Sequence, residues 1–136
     1  MSLSKQPRGD EFVAELVAAI DITPQKRYGA GTEASDFAVV IDDKRYASSA
    51  MENVAMYDTT DHEFGNYWLE EYLWKTSKGN WLLSGHGGSG TPWWDGANDD
   101  SWGLGFIALT EDQVKAYLQA RQMHDVLIDL FRIEEA

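Results

Sequence analysis

Cysteine is absent from this chain, proline occurs only three times in 136 residues, and 11 Lys and Arg stand against 23 Asp and Glu. Without cysteine there are no disulfides and no thiolate metal sites, so stability must come from a hydrophobic core, and the absence fits a reducing compartment. No apolar run approaches the roughly 18 residues that a membrane-spanning helix requires, and the first residues lack the basic-then-apolar order of a secretory signal. The expectation is a cytoplasmic protein with no membrane partner. A chain of this length suits one domain that buries roughly two-thirds of its unfolded surface. That domain is expected over 10–136, behind a flexible polar arm over 1–9 that contains Pro7 and Gly9.

The shortage of positive charge gives a formal net charge of −12, and it is uneven. Between Tyr46 and Val114 there are 11 carboxylates and two cations, Lys75 and Lys78. Such a field repels phosphate backbones, so no direct nucleic-acid binding is expected. The surface suits a protein partner with a basic face, or serves solubility alone.

Several sequence signatures are also missing. The phosphate-cradling pattern G-x-x-x-x-G-K-[ST] does not occur, and no Lys or Arg lies between Gly79 and Val114. Gly85-His86-Gly87-Gly88 has the letters of an esterase oxyanion loop, but the G-x-S-x-G nucleophile elbow is lacking. A strand exit that needs flexible backbone accounts for these glycines. His62, His86 and His124 have no metal-ligand spacing, and Asp61-His62-Glu63 would need ligands from elsewhere. Neither a metal nor a cofactor is expected.

What is present predicts an α+β fold, a small antiparallel sheet of three to five strands packed against N- and C-terminal helices. Asp10 caps an expected helix whose apolar stripe is Phe12, Val13, Leu16, Val17 and Ile20, ended by Pro24. Phe37–Ile41 reads as a strand, with a turn at Asp42-Asp43-Lys44. Ser49 and Glu52 have capping-box spacing, and Met51, Val54 and Ala55 form a helix-like stripe, so a second helix ending near Tyr57 is expected.

The sharpest local reading is a hairpin. A three-residue loop Ser77-Lys78-Gly79, with Gly79 in the left-handed region, pairs Trp74 with Leu82, Tyr72 with Ser84, and Glu70 with His86. Both faces carry large apolar residues, so helices should cover one side and the Trp-containing loop part of the other. A third strand, Gly103–Leu109, runs into a helix capped by Thr110 and Gln113. The apolar stripe slips between Leu118 and Met123, which predicts two helices meeting near Arg121 to His124.

Two groups of residues are candidates for function. Glu70 opposite His86 is the one acid/base pair that the register creates, whereas Glu70 and Glu71 point to opposite faces. Pro92-Trp93-Trp94-Asp95-Gly96, with Asp99, Asp100 and Trp102, concentrates half of the six tryptophans beside carboxylates. Trp is favoured at recognition surfaces for its rigid apolar area, so Trp93, Trp94, Asp95, Asp99, Asp100 and Trp102 form a candidate partner-binding loop. The alternative is that the rings cap the sheet.

The stretch from about Phe37 to Leu118 resembles a family of small uncharacterised proteins carried by conjugative elements, plasmids and phages. The resemblance rests on Asp43-Lys44-Arg45-Tyr46, then Glu70, Glu71, Leu73, Trp74 and Lys75, and then Gly79, Trp81, Leu82, Leu83, Gly85, Gly87 and Gly88. It continues through Ser101, Trp102, Gly103, Ile107, Leu109 and Thr110, with Leu104 and Ala108 departing from the usual glycine and proline. It implies a mobile-element accessory protein, a class in which some small acidic members inhibit host defence nucleases. The leading expectation is a non-enzymatic protein-binding domain that inhibits or modulates a host nucleic-acid-processing or defence complex. The alternatives are a small hydrolase or ligand-binding enzyme using His86 with Glu70 and Ser84 or Ser89, and a structural subunit that self-associates as a homodimer.

Overall fold

Apolar side chains on both faces of Leu69–Thr76 and Trp81–Gly88 require these strands to be covered on both sides, and the architecture follows from that requirement. The computed structural model describes residues 9–20, 37–59, 68–94 and 102–136, without the side chains of 17–20 and 102. Its elements in chain order are α1 (Asp10–Ile20), β1 (Ala38–Ile41), β2 (Lys44–Ala47), β3 (Met51–Asp58), β4 (Leu69–Thr76), β5 (Trp81–Gly88), β6 (Trp102–Leu109), α2 (Glu111–Ala120) and α3 (His124–Leu130). Strands β3 to β6 form a four-stranded antiparallel sheet in sequence order, and β1 and β2 form a separate antiparallel pair. The fold is α+β.

Three layers result. On one face of the large sheet Leu69, Leu73, Leu83 and Ile107 pack against Val13 and Leu16 of α1, Val114 and Leu118 of α2, and Leu127 of α3. On the other, Trp74, Leu82, Leu104 and Phe106 meet Phe37, Val39 and Tyr46 of the β1–β2 hairpin. Phe37 stands edge-on to Trp74 at 5.3 Å. Leu82 and Leu83 are both 0% exposed on opposite faces, and each contributes about 1.5–3 kcal/mol of burial. The second cover is therefore the β1–β2 hairpin, not the Trp-containing loop.

The β4–β5 hairpin has the register read from the sequence. Trp74 pairs with Leu82, Tyr72 with Ser84 and Glu70 with His86, and Gly79 turns with φ +86°. The β1–β2 turn uses Asp42 and Asp43 at φ 53° and 64°, the left-handed pair that a two-residue hairpin loop needs. Ser48 closes that hairpin, its hydroxyl oxygen accepting from Phe37 N–H at 3.0 Å.

The expected helix from Ser49 to Tyr57 is instead a 3-10 turn, Ser48–Ala50, followed by β3. A β-bulge explains the misleading pattern. The pairing with β4 shifts between Asn53 and Ala55, so Met51 packs on the hairpin side while Val54, Ala55 and Tyr57 face the helices. The extra residue turns a strand alternation into a spacing of three and four.

At the other end Thr110 caps α2 and Gln113 completes the capping box. The break before α3 is a Schellman motif, with Met123 N–H bonded to Leu118 C=O at 2.8 Å and Gln122 N–H to Gln119 C=O at 3.0 Å. Asp10, expected as the cap of α1, is its first residue; Gly9 C=O accepts from Val13 N–H at 3.1 Å and holds the cap position. No described helix is long and apolar enough to cross a membrane.

Candidate functional site

Strand alternation sends the adjacent carboxylates of β4 to opposite layers, and each meets a different environment. Glu71 lies beneath the helices and is 0% exposed. Its Oε1 accepts from Tyr117 Oη at 2.6 Å and Arg121 Nε at 3.0 Å; its Oε2 accepts from Trp93 Nε1 at 2.8 Å and Arg121 Nη2 at 2.5 Å. All the acceptor capacity of the carboxylate is used. Arg121 also donates from Nη1 to Asp10 Oδ1 at 2.8 Å and stacks over the Tyr57 ring at 4.5 Å. One element from each end of the chain and the centre of the sheet are thereby tied together.

The electrostatics are those of a sealed cluster holding one cation and two carboxylates. Burial pushes the Asp10 carboxyl above its ordinary range, opposed by Arg121 and aided by Glu71, and Asp10 Oδ2 is buried without a hydrogen-bond partner. Burial together with the Glu71 charge pushes the Tyr117 phenol well upward, so it remains a donor. Burial alone would lower the Arg121 guanidinium, but the Glu71 carboxylate outweighs it and holds the cation charged. The Glu71 carboxylate, with all four acceptor positions filled, carries no open position for a substrate.

Trp93 belongs to this cluster. Its ring is 1% exposed and lies on Gly85, where an added Cβ would stand 2.2 Å from Trp93 Cε2. The glycines expected as a flexible strand exit are thus inside β5, where they make room for the chain folding back over them. Thr91 Oγ1 donates to Gly88 C=O at 2.8 Å and fixes that return. Trp93 is a core residue and not part of an exposed epitope. Trp94 is half-buried, Trp102 opens β6 opposite Gly88, and Asp95, Asp99 and Asp100 lie outside the described residues.

On the hairpin side Glu70 and His86 are brought together as expected, but loosely. His86 Nε2 is 3.7 Å from Glu70 Oε1, which also accepts from Tyr72 Oη at 3.1 Å. Trp68 meets the imidazole edge-on at 5.5 Å, and His86 Nδ1 is buried without a hydrogen-bond partner. Burial lowers the His86 pKa, against the opposing pull of Glu70 and Asp58. Ser84, on the same face of β5 as His86, is 0% exposed and accepts from Trp74 Nε1 at 2.9 Å. The clefts at the hairpin turns, beside α1 and beside α3 are lined by other residues than His86. This arrangement provides a half-buried base with no nucleophile aligned to it among the described residues. Asp61, His62 and Glu63 lie outside the described residues, and no group of three or more potential metal ligands occurs among those described.

Among the described residues the helices also expose a charged surface. Glu11 and Glu15 of α1, Glu111 and Asp112 of α2, and Asp125 and Asp129 of α3 are exposed. Lys115 is the one Lys or Arg within these helices, and it is paired with Glu111 at 3.4 Å. Ile128 is 59% exposed between Asp125 and Asp129.

Sequence reading missed the Glu71–Arg121–Asp10 cluster, although a signal exists. Glu71 shares the strand face of Leu69 and Leu73, and Arg121 continues the stripe of Val114, Tyr117 and Leu118 at the next helical step. Two opposite charges on core-facing registers require each other. Comparison with known protein families, with curated proteins and with solved structures finds no match.

Proposed function

We infer that the chain is a non-enzymatic protein-binding domain whose acidic helical surface docks on a basic face of a partner protein. The observation that carries this reading is the helical layer itself, where α1, α2 and α3 expose six carboxylates, Asp125 and Asp129 flank an exposed Ile128, and Lys115, the one Lys or Arg within these helices, is already paired. Complementary charge speeds encounter and rejects wrong partners, while a central apolar side chain supplies affinity. Consistent with the resemblance to mobile-element proteins, the partner is a host complex that handles nucleic acid, and the domain occupies the basic surface that nucleic acid would otherwise use.

The test is capture from a lysate of the native host on immobilised wild-type chain and on an Asp125→Lys/Asp129→Lys variant, followed by competition on the purified partner. The reading expects a nucleic-acid-binding protein retained by the wild type, released by moderate salt, lost from the variant, and prevented from binding its nucleic acid when the domain is added. Retention of the same proteins by both baits, or only of further copies of this chain, would remove the acidic face from the account.

A further inference from the structure

Several of the positive charges among the described residues lie close together. Among the described residues Arg121 is buried in its cluster, Lys115 is paired with Glu111, and Lys75 stands over the Trp81 ring. Of the other four, Lys44, Arg45 and Lys78 line one cleft of about 400 Å³, and Arg132 is exposed beyond α3. The cleft lies where the end of β2 meets the turn between β4 and β5. None of the three makes an ion pair, and all three are exposed. A single carboxylate, Asp43, shares the lining with them.

Both turns are stiff for identifiable reasons. The β1–β2 turn is set by the left-handed Asp42 and Asp43, and Lys44 follows at the first strand position, on the same side as the buried Tyr46. The opposite turn is held by Thr76 N–H to Asn80 C=O at 2.8 Å, by Gly79 N–H to Thr76 C=O at 3.0 Å and by Asn80 N–H to Thr76 Oγ1 at 2.9 Å. Lys78 is therefore presented from a fixed backbone. Ser77 adds a hydroxyl, and Ala47, Ala50 and Met51 supply apolar wall.

We propose that this cleft binds a compact organic dianion, with Lys44 and Lys78 holding the charged group and the Tyr46–Met51 side receiving the organic part. The volume suits a small molecule. Lys44 and Lys78 supply two positive charges, which match a phosphate monoester or a dicarboxylate, while Arg45 lies on the face of β2 opposite to Lys44 and Tyr46. This site is independent of the acidic helical face.

The experiment is a titration of the isotopically labelled full chain with phenyl phosphate, with succinate and with inorganic phosphate, followed by amide chemical shifts at constant ionic strength. The proposal expects saturable shifts confined to 43–51 and 76–80 with phenyl phosphate or succinate, and weaker binding of inorganic phosphate, which lacks the organic part. The stronger of the two organic probes identifies the source of the charge. Lys44→Gln/Lys78→Gln is expected to weaken that binding at least about tenfold, a loss of about 1.4 kcal/mol, whereas Lys115→Gln leaves it unchanged. Lys44 and Lys78 are exposed and Lys115 is half-buried, and the unchanged remainder of the spectrum reports that each variant is folded. Absence of saturable shifts with either organic probe up to about 10 mM, or equal weakening by Lys115→Gln, would overturn the proposal.

Discussion

Arg121 grips Glu71 with two parallel N–H···O contacts, Nε to Oε1 at 3.0 Å and Nη2 to Oε2 at 2.5 Å, across 50 residues of chain and with neither side chain exposed. Because the pair is sealed, removing one partner leaves an uncompensated buried charge. Arg121→Met and Glu71→Leu are each expected to lower stability by about 3–5 kcal/mol, and the double variant by clearly less than the sum. Urea unfolding midpoints measured at unchanged m-value check this. Additive losses would mean that the two side chains do not act as a pair.

Trp93 and Trp94 are neighbours with different expected fates. Trp93→Ala removes a ring that is 1% exposed and one of the donors to Glu71, so a loss of about 3–5 kcal/mol is expected. Trp93→Phe retains apolar area but leaves Glu71 Oε2 short of a donor, at about 1–3 kcal/mol. Trp94→Ala, at a half-buried position, is expected to cost less than half as much as Trp93→Ala. Thermal unfolding of the three variants checks the order, and it decides which Trp substitution can report on binding without unfolding the domain.

Those contrasts explain what the sequence reveals and what it conceals. The β4–β5 register, the Thr110 cap and the break at Gln122 are written in neighbouring residues, because turn geometry, capping and helical phase are local. The start of β3 was concealed by a bulge, since one inserted residue gives Met51, Val54 and Ala55 a helical spacing. The partners of Glu71 are 22 to 50 residues away, and Arg121 reaches Asp10 across 111, so their meeting depends on how the layers stack. Trp93 misled for the same reason, because a Trp beside Asp in a glycine-rich loop has the composition of a surface. The space above Gly85 that takes its ring exists only once β5 and the loop fold together.

His86 makes stability depend on pH in a defined direction. Its pKa in the folded chain is lowered by burial, against Glu70 and Asp58, whereas the unfolded chain has the ordinary value near 6.5. Between the folded value and 6.5 the unfolded chain binds the extra proton, so this contribution is complete above that range and is lost as pH falls through it. Melting temperatures from about pH 5 to 7.5 are expected to rise with pH in the wild type and to rise less in His86→Gln. Identical slopes in the two proteins would assign the dependence to another group. Asp10 acts with the opposite sign at lower pH, because its folded value is raised and its contribution is lost as pH rises above 3.8.

Gln122 occupies the position after the α2 C-cap with φ +60°, a left-handed conformation in which a side chain is strained. The Schellman hydrogen bonds around it are formed by backbone groups and do not require the glutamine amide. Gln122→Gly relieves the strain at a site where glycine is the usual residue, while the unfolded chain gains freedom and offsets part of the benefit. The expected outcome is a net stabilisation of up to about 1 kcal/mol, with Gln122→Ala neutral or destabilising. Denaturant midpoints for the two variants provide the check. A Gln122→Gly protein less stable than wild type would show that contacts of the glutamine side chain outweigh the strain of its backbone. The same substitution probes the cluster indirectly, since the turn that Gln122 closes sets the position of Arg121, and a displaced guanidinium would appear as a loss far larger than any strain relieved.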